Sequence, residues 1–221
     1  MTRTSRTTRI NLVAVLVAAL LVCAVAVGVL VTQRTAPSSA AGQVAVADIA
    51  ADARVLDAAP DAKVTVTEFL DFECEACAAM YPTVESLRAR YSGRVAFTFR
   101  YFPLPGHRNS VPAAIAVEAA ARQDKLELLY RHLFDTQSEW GETQASQVAR
   151  FRQAAADLGL DMTRFDQDIA DPDVRARVER DVALGRSLGI TGTPTFFVNG
   201  IPIELQQAGD LEAAIQRALT K

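Results

Sequence analysis

The sequence predicts an α/β fold carrying an inserted helical domain and preceded by an N-terminal transmembrane helix. Three observations predict it. A strand–helix–strand pattern fills residues 63–102, helical spacing without a strand-like run fills residues 111–188, and twenty consecutive apolar residues lie near the N-terminus.

The apolar run comes first. From Leu12 to Val31 every residue is Leu, Val, Ala, Gly or Cys, and twenty helical residues at about 1.5 Å each span roughly the 30 Å of bilayer hydrocarbon. Arg3, Arg6 and Arg9 precede the run and Arg34 follows it. The positive-inside bias therefore places residues 1–9 in the cytoplasm, residues 10–32 as a signal-anchor in the membrane, and the rest outside. A cleaved signal peptide is the alternative, with Ser38-Ser39-Ala40 as a small-residue cleavage site, but its apolar region normally runs about 7 to 15 residues. Cys23, with bulky Val22 before it, packs against lipid in this reading. Residues 33–53, rich in Ala, Ser and Asp, read as an extracytoplasmic linker.

The folded domain occupies residues 54–221. A short strand is expected around Arg54–Leu56. KVTVTEFL (Lys63–Leu70) alternates β-branched residues and reads as a strand, Cys77–Tyr91 as a helix that Pro82 should kink, and RVAFTFRYF (Arg94–Phe102) as a second strand. Strand, helix, strand in that compass is a βαβ unit with a parallel pair. Helices are then expected over Pro112–Arg122, Leu126–Gln137, Gln144–Leu158 and Asp173–Leu188, punctuated by Gly141, Gly159 and Pro172. A crossover needs only one helix, so several imply a helical domain inserted at about 110–190. TFFV (Thr195–Val198), an Asn199-Gly200 turn and Ile201–Leu205 form a hairpin, and a helix over Asp210–Thr220 closes the chain.

Charge and cysteines narrow the chemistry. Residues 42–221 carry 19 basic and 26 acidic side chains, a net of −7, which argues against nucleic acid as a partner. Cys74 and Cys77 follow the first long strand within EFLDFECEACAAMYP, amid Glu68, Asp71, Glu73 and Glu75. A staple closing so short a loop removes little entropy from the unfolded chain. A zinc or copper site needs more ligands than His107 and His132 add, so no metal is expected. Redox chemistry fits the pair better. A helix starting near Cys74 sets that sulfur among unpaired N–H groups at the positive end of the dipole, which favours a thiolate. Cys77, one turn on, is near enough to bridge but deeper. Cys74 is thus the attacking sulfur and Cys77 the resolving one, with no cofactor beyond a redox-active Cys74–Cys77 disulfide. Glu73 and Glu75 oppose the thiolate by like charge.

Glu68 shares its side of the strand with Val64, Val66 and Leu70. Burial there would keep it protonated and able to exchange a proton with Cys77; an edge strand would leave it facing water. Gly192-Thr193-Pro194-Thr195 leads into TFFV, and its spacing alone does not settle whether Pro194 is cis. His107 in FPLPGHRN reads as an exposed loop residue, and Trp140 as a packing or rim residue.

A CxxC after a βαβ strand, Glu68 six residues before it, Pro82 eight after Cys74 and a Thr-Pro before the third strand together resemble the thioredoxin superfamily. The helical stretch between the halves is similar to its DsbA-like branch, the extracytoplasmic thiol:disulfide oxidoreductases. That resemblance implies a thioredoxin-like fold in which Cys74 forms the mixed disulfide with a client and Glu68 relays a proton for Cys77. It also implies that Pro194 is cis and that Thr193 offers its backbone to an extended client segment. It implies, as partners, unfolded or reduced secreted client proteins and a quinone-linked membrane re-oxidant. Glu75-Ala76 stand where strongly oxidising members carry Pro-His, which implies a milder oxidant. A reductase or isomerase with the same site is the near alternative, and a non-catalytic chaperone or copper carrier the distant one.

Overall fold

The computed structural model describes residues 49–221. The cytoplasmic segment 1–9, the transmembrane segment 10–32 and nearly all of the linker 33–53 expected from the sequence lie outside them. Among the described residues no helix is long and apolar enough to cross a membrane.

The βαβ unit is formed by β2 (Val64–Leu70), α1 (Glu75–Arg90) and β3 (Val95–Tyr101), after a short β1 (Arg54–Asp57). β2 and β3 pair in parallel over their full length, Val64 beside Val95 through Leu70 beside Tyr101. Five helices follow: α2 (Ser110–Ala121), α3 (Leu126–Asp135), α4 (Val148–Asp157), α5 (Met162–Ala170) and α6 (Pro172–Ser187), with a 3-10 turn at Gln137–Glu139. The chain then returns to the sheet as the hairpin β4 (Thr195–Val198) and β5 (Ile201–Ile203) and ends in α7 (Gly209–Leu219). The strand order is β1-β3-β2-β4-β5, with β1, β4 and β5 antiparallel to their neighbours. β2 is therefore internal and covered on both faces, as parallel strands require.

Alternation sorts the core. Val64, Val66, Val95 and Phe97 meet Val84 and Leu87 of α1, Tyr91 just after it, and Leu211 and Ile215 of α7. On the opposite face Phe69 meets Phe102, Ile190 and Phe197, with Val182 and Leu184 of α6 packed on them. Toward the C-terminal end of the strands, Leu70, Phe99 and Tyr101 join the helical domain through Phe72, Tyr130 and Phe134. Alanine-rich α2 sits at the centre of that domain, buried from Ala113 to Ala120, because methyl side chains let four helices approach it. Its Glu118 is buried as well, accepting from Arg54 Nε at 2.7 Å and from the Tyr101 hydroxyl at 3.0 Å. This ties the first strand to the insert.

The hairpin turn keeps the expected chemistry. Asn199 and Gly200 both take positive φ, 50° and 73°. The Asn199 side chain accepts from Thr65 N at 2.8 Å and donates to Lys63 O at 3.0 Å, so it also fixes the start of β2.

Two elements differ from expectation. α4 begins at Val148 rather than Gln144, because residues 143–147 form a loop bonded to Asn109. α5 was not expected: its nine residues carry only Met162, Phe165 and Ile169 as large apolar side chains, and Phe165 alone among them is fully buried. It is begun instead by Asp161, whose carboxylate accepts from Thr163 N and Arg164 N. α1 runs through Pro82 without a break.

Gly185 of α6 packs directly on Phe102 and Phe69, leaving no room for a side chain. A methyl group there would lie 2.5 Å from the Phe102 ring and 3.2 Å from that of Phe69. Gly185→Ala is expected to cost about 1–3 kcal/mol by overpacking, read as a lower urea midpoint at unchanged slope.

Candidate active site

Strand β2 ends at Leu70 and α1 begins at Glu75, with Cys74 as its N-cap residue. The four residues between form a turn held from several directions. Cys74 N donates to Asp71 O at 3.2 Å, and Glu73 N donates to the Asp71 carboxylate at 2.9 Å. Gln137, from the 3-10 turn of the insert, donates to Phe72 O at 3.2 Å and Cys74 O at 2.8 Å. The cysteines are therefore positioned by the sheet and the helical domain together.

The two sulfurs sit in unequal surroundings. Cys77 is 1% exposed and Cys74 7%. Both sulfurs are thus enclosed, with Cys77 the deeper of the two as expected. Its pKa is lowered from 9.0 to about 5, first by the hydrogen bond from Cys77, then, against desolvation, by Thr193 and the N–H groups of Cys77 and Ala76. Those N–H groups are the unpaired donors of the α1 N-terminus. Burial and the neighbouring Cys74 and Glu68 charges push the Cys77 thiol up. One sulfur is held as thiolate and its neighbour as thiol.

Thr193 faces Cys74 from the loop before β4. The Thr193–Pro194 peptide bond is cis. The Cys74 thiol donates to Thr193 O at 3.4 Å. Once the sulfur ionises, the Thr193 hydroxyl, which has no other hydrogen-bond partner among the described residues, is the group on that loop able to donate to it. Beyond Thr193 an open cleft is lined by Leu188, Ile190, Pro194, Phe197 and Pro202.

Glu68 lies on the internal strand β2, 4% exposed, flanked by Phe99 on β3 and Phe196 on β4. Burial first, then the Cys74 and Glu85 charges, raise its carboxyl from 4.5 to about 8. It is therefore protonated at neutral pH and coupled electrostatically to both cysteines. Glu75 and Ala76 are exposed. Glu73 is buried, with its carboxylate accepting from Asn109 N at 2.6 Å.

Sequence reasoning missed three groups around this turn. Asp71 is buried and receives hydrogen bonds from Glu73 N, from Leu104 N at 2.9 Å and from His107 Nδ1 at 2.6 Å. Burial raises its carboxyl to about 6 against the pull of those donors. His107 is not the exposed loop residue expected: its side chain is 18% accessible and paired with Asp71. Gln137 had no signal at all, since a glutamine after a helix is ordinary until its partners are known. Trp140 is a packing residue, buried against Phe151 at 4.9 Å. Among the described residues, no group of three His, Cys, Asp or Glu converges as a metal site would.

A family model described as thioredoxin matches residues 56–217. This chain belongs to the thioredoxin family. Among solved structures, it is similar to a thioredoxin-like oxidoreductase from Silicibacter pomeroyi DSS-3, with 29% identity, a TM-score of 0.65, and coverage of 77% of this chain and 94% of that one. BdbD from Bacillus subtilis (23%, TM-score 0.66, 77% and 94%) and α-DsbA1 from Wolbachia pipientis (21%, TM-score 0.66, 76% and 91%) share its fold. This thioredoxin-family chain thus has a DsbA-like fold, with the helical insertion between β3 and β4. Among curated proteins it is 38% identical over 140 residues to the Na(+)/H(+) antiporter NhaA of Herminiimonas arsenicoxydans, a match covering 63% of this chain and 21% of that protein. NhaA 1 of Mycobacterium sp. strain KMS matches at 35% over 146 residues, 64% and 22%. The matched part spans about a fifth of the length of these antiporters.

The raised Glu68 carboxyl predicts a stability effect of definite sign. Unfolded, the group ionises from 4.5 upward; folded, it holds its proton to about 8. The fold therefore loses stability as pH rises through that window. Glu68→Gln is expected to stabilise the protein at pH 7 by up to roughly 3 kcal/mol and to leave it unchanged at pH 4, read from urea unfolding at the two pH values.

Proposed function

We propose that the protein is an extracytoplasmic thiol:disulfide oxidoreductase that oxidises client protein dithiols through a Cys74–Cys77 disulfide. The observation that carries this reading is the opposed tuning of the two sulfurs, Cys74 lowered to about 5 and Cys77 raised, within one turn of helix. Family membership and the 29% identity to a thioredoxin-like oxidoreductase support it.

A client thiolate attacks Cys74 Sγ of the disulfide; the S–S bond breaks and the electron pair leaves with Cys77. Glu68, protonated beside it, returns a proton to that sulfur. The client's second thiolate then attacks the client sulfur of the mixed disulfide, and Cys74 leaves as a thiolate. The client dithiol is oxidised and the Cys74–Cys77 pair reduced. Thr193, Pro194 and the cleft beyond them receive the client segment in extended form, its backbone bonding to Thr193. Re-oxidation returns the two electrons to a quinone-linked membrane partner, and a membrane anchor at residues 10–32 keeps the domain near it. Sodium–proton exchange, named for the antiporter relatives, is not carried over to this chain.

The acidity of Cys74 supports oxidation as the direction of transfer. A thiol ionising at about 5 stabilises the reduced form at pH 7 by up to about 2.7 kcal/mol over one that stays protonated. For a two-electron couple this shifts the potential about 60 mV toward oxidation. Equilibration with glutathione redox buffers at pH 7 is expected to give a potential well above the roughly −270 mV of a thioredoxin. A value at or below that would assign the protein to the reductases. Cys74→Ser is expected to abolish oxidation of a reduced model client altogether, whereas a chaperone would keep its holding activity.

A further inference from the structure

We propose that His107, pinned by Asp71 beneath the CxxC turn, supplies the positive charge that the motif itself lacks and acts as a positioning residue for the Cys74 thiolate. The proposal rests on the oxidoreductase reading and names a determinant of its chemistry.

Between the cysteines stand Glu75 and Ala76, neither of them cationic, and the residues before Cys74 include three carboxyl groups, Glu68, Asp71 and Glu73. Asp71 is the member closest in bonding to the turn: its carboxylate holds Glu73 N while its carbonyl holds Cys74 N. Ionised and alone, it would add a buried negative charge beside the forming thiolate. His107 Nδ1 lies 2.6 Å from that carboxylate. The loop carrying it is fixed by Leu104 N to the same carboxylate, by His107 N to Leu104 O at 3.1 Å, and by the Ser110 hydroxyl to His107 O at 3.0 Å. These bonds hold the loop backbone beside Asp71, and the ring itself is held by the Asp71 carboxylate.

Charged groups of both signs surround the ring. Glu142 Oε1 lies 3.5 Å from His107 Nε2. Arg175 and Arg186 of α6, whose charge opposes the imidazolium, and Glu179, whose charge favours it, line one cavity together with His107. Burial alone would discharge the imidazole, but the bond and charge of Asp71, then the charges of Glu142 and Cys74, outweigh it and favour the imidazolium. That influence is reciprocal: if the Cys74 thiolate helps His107 keep its proton, the protonated ring helps Cys74 lose its own by the same factor.

The full-length chain carries two histidines, so two ring signals appear in an NMR pH titration, and His107→Gln assigns them. His107 is expected to titrate about half to one unit higher in the reduced protein than in the disulfide form, a three- to tenfold change in proton affinity. In parallel, the pH profile of Cys74 alkylation in the reduced chain should move upward in His107→Gln by the same three- to tenfold. In His107→Arg, which keeps the charge without titrating, it should stay near the wild-type position. A purely structural His107 would move neither the redox-dependent titration nor the Arg–Gln difference. Identical titration of His107 in both redox states, or superposed Gln and Arg profiles, overturns the proposal while leaving the oxidoreductase reading intact. A wild-type Cys74 that alkylates no faster than an ordinary thiol at neutral pH overturns both.

Discussion

Everything in this molecule is arranged around an electrostatic inequality between two sulfurs one helical turn apart. Cys74, at the start of α1, meets N–H donors of the helix and the Thr193 loop, while Cys77, one turn in, meets the apolar core and the Glu68 and Cys74 charges. A helix N-terminus lowers a thiol pKa only for a group placed at its first turn. The same helix that activates the first cysteine therefore buries the second, and the pair becomes directional because one backbone geometry serves both.

Holding that first turn requires more than the βαβ unit. The turn from Asp71 to Cys74 is gripped from the sheet side by Asp71 and from the insert by Gln137. Asn109 connects Glu73 to the loop that starts α4 through Glu73 Oε2, Thr143 O, Ala145 O and Gln147 N. The helical domain thus contributes hydrogen bonds to the site as well as a wall beside it. Buried polar groups of this kind are favourable only when fully partnered, which links the integrity of the insert to the geometry of the cysteines.

The site also carries a cost in stability. A glutamic acid on an internal strand, with Phe99 and Phe196 across from it, must keep its proton to remain there. The carboxyl is coupled electrostatically to both cysteines, at the expense of a fold that weakens as pH rises. Such a carboxyl is difficult to account for by packing.

By itself the sequence determined the βαβ unit, the hairpin, the closing helix and the cysteine pair. Each is written in local terms: alternation in VTVTEFL and VAFTFRY, the φ > 0 preference of Asn199-Gly200, and two cysteines at a strand-to-helix junction. Only the tertiary structure decided that β2 is internal and Glu68 buried, that α5 is a helix begun by Asp161, that His107 pairs with Asp71, and that Gln137 holds the carbonyls of Phe72 and Cys74. Those relations join residues 36 and more than 60 positions apart. Side-chain periodicity reports which face of an element is apolar, but the partner of a buried polar group is set by how distant elements pack, and no local pattern encodes that.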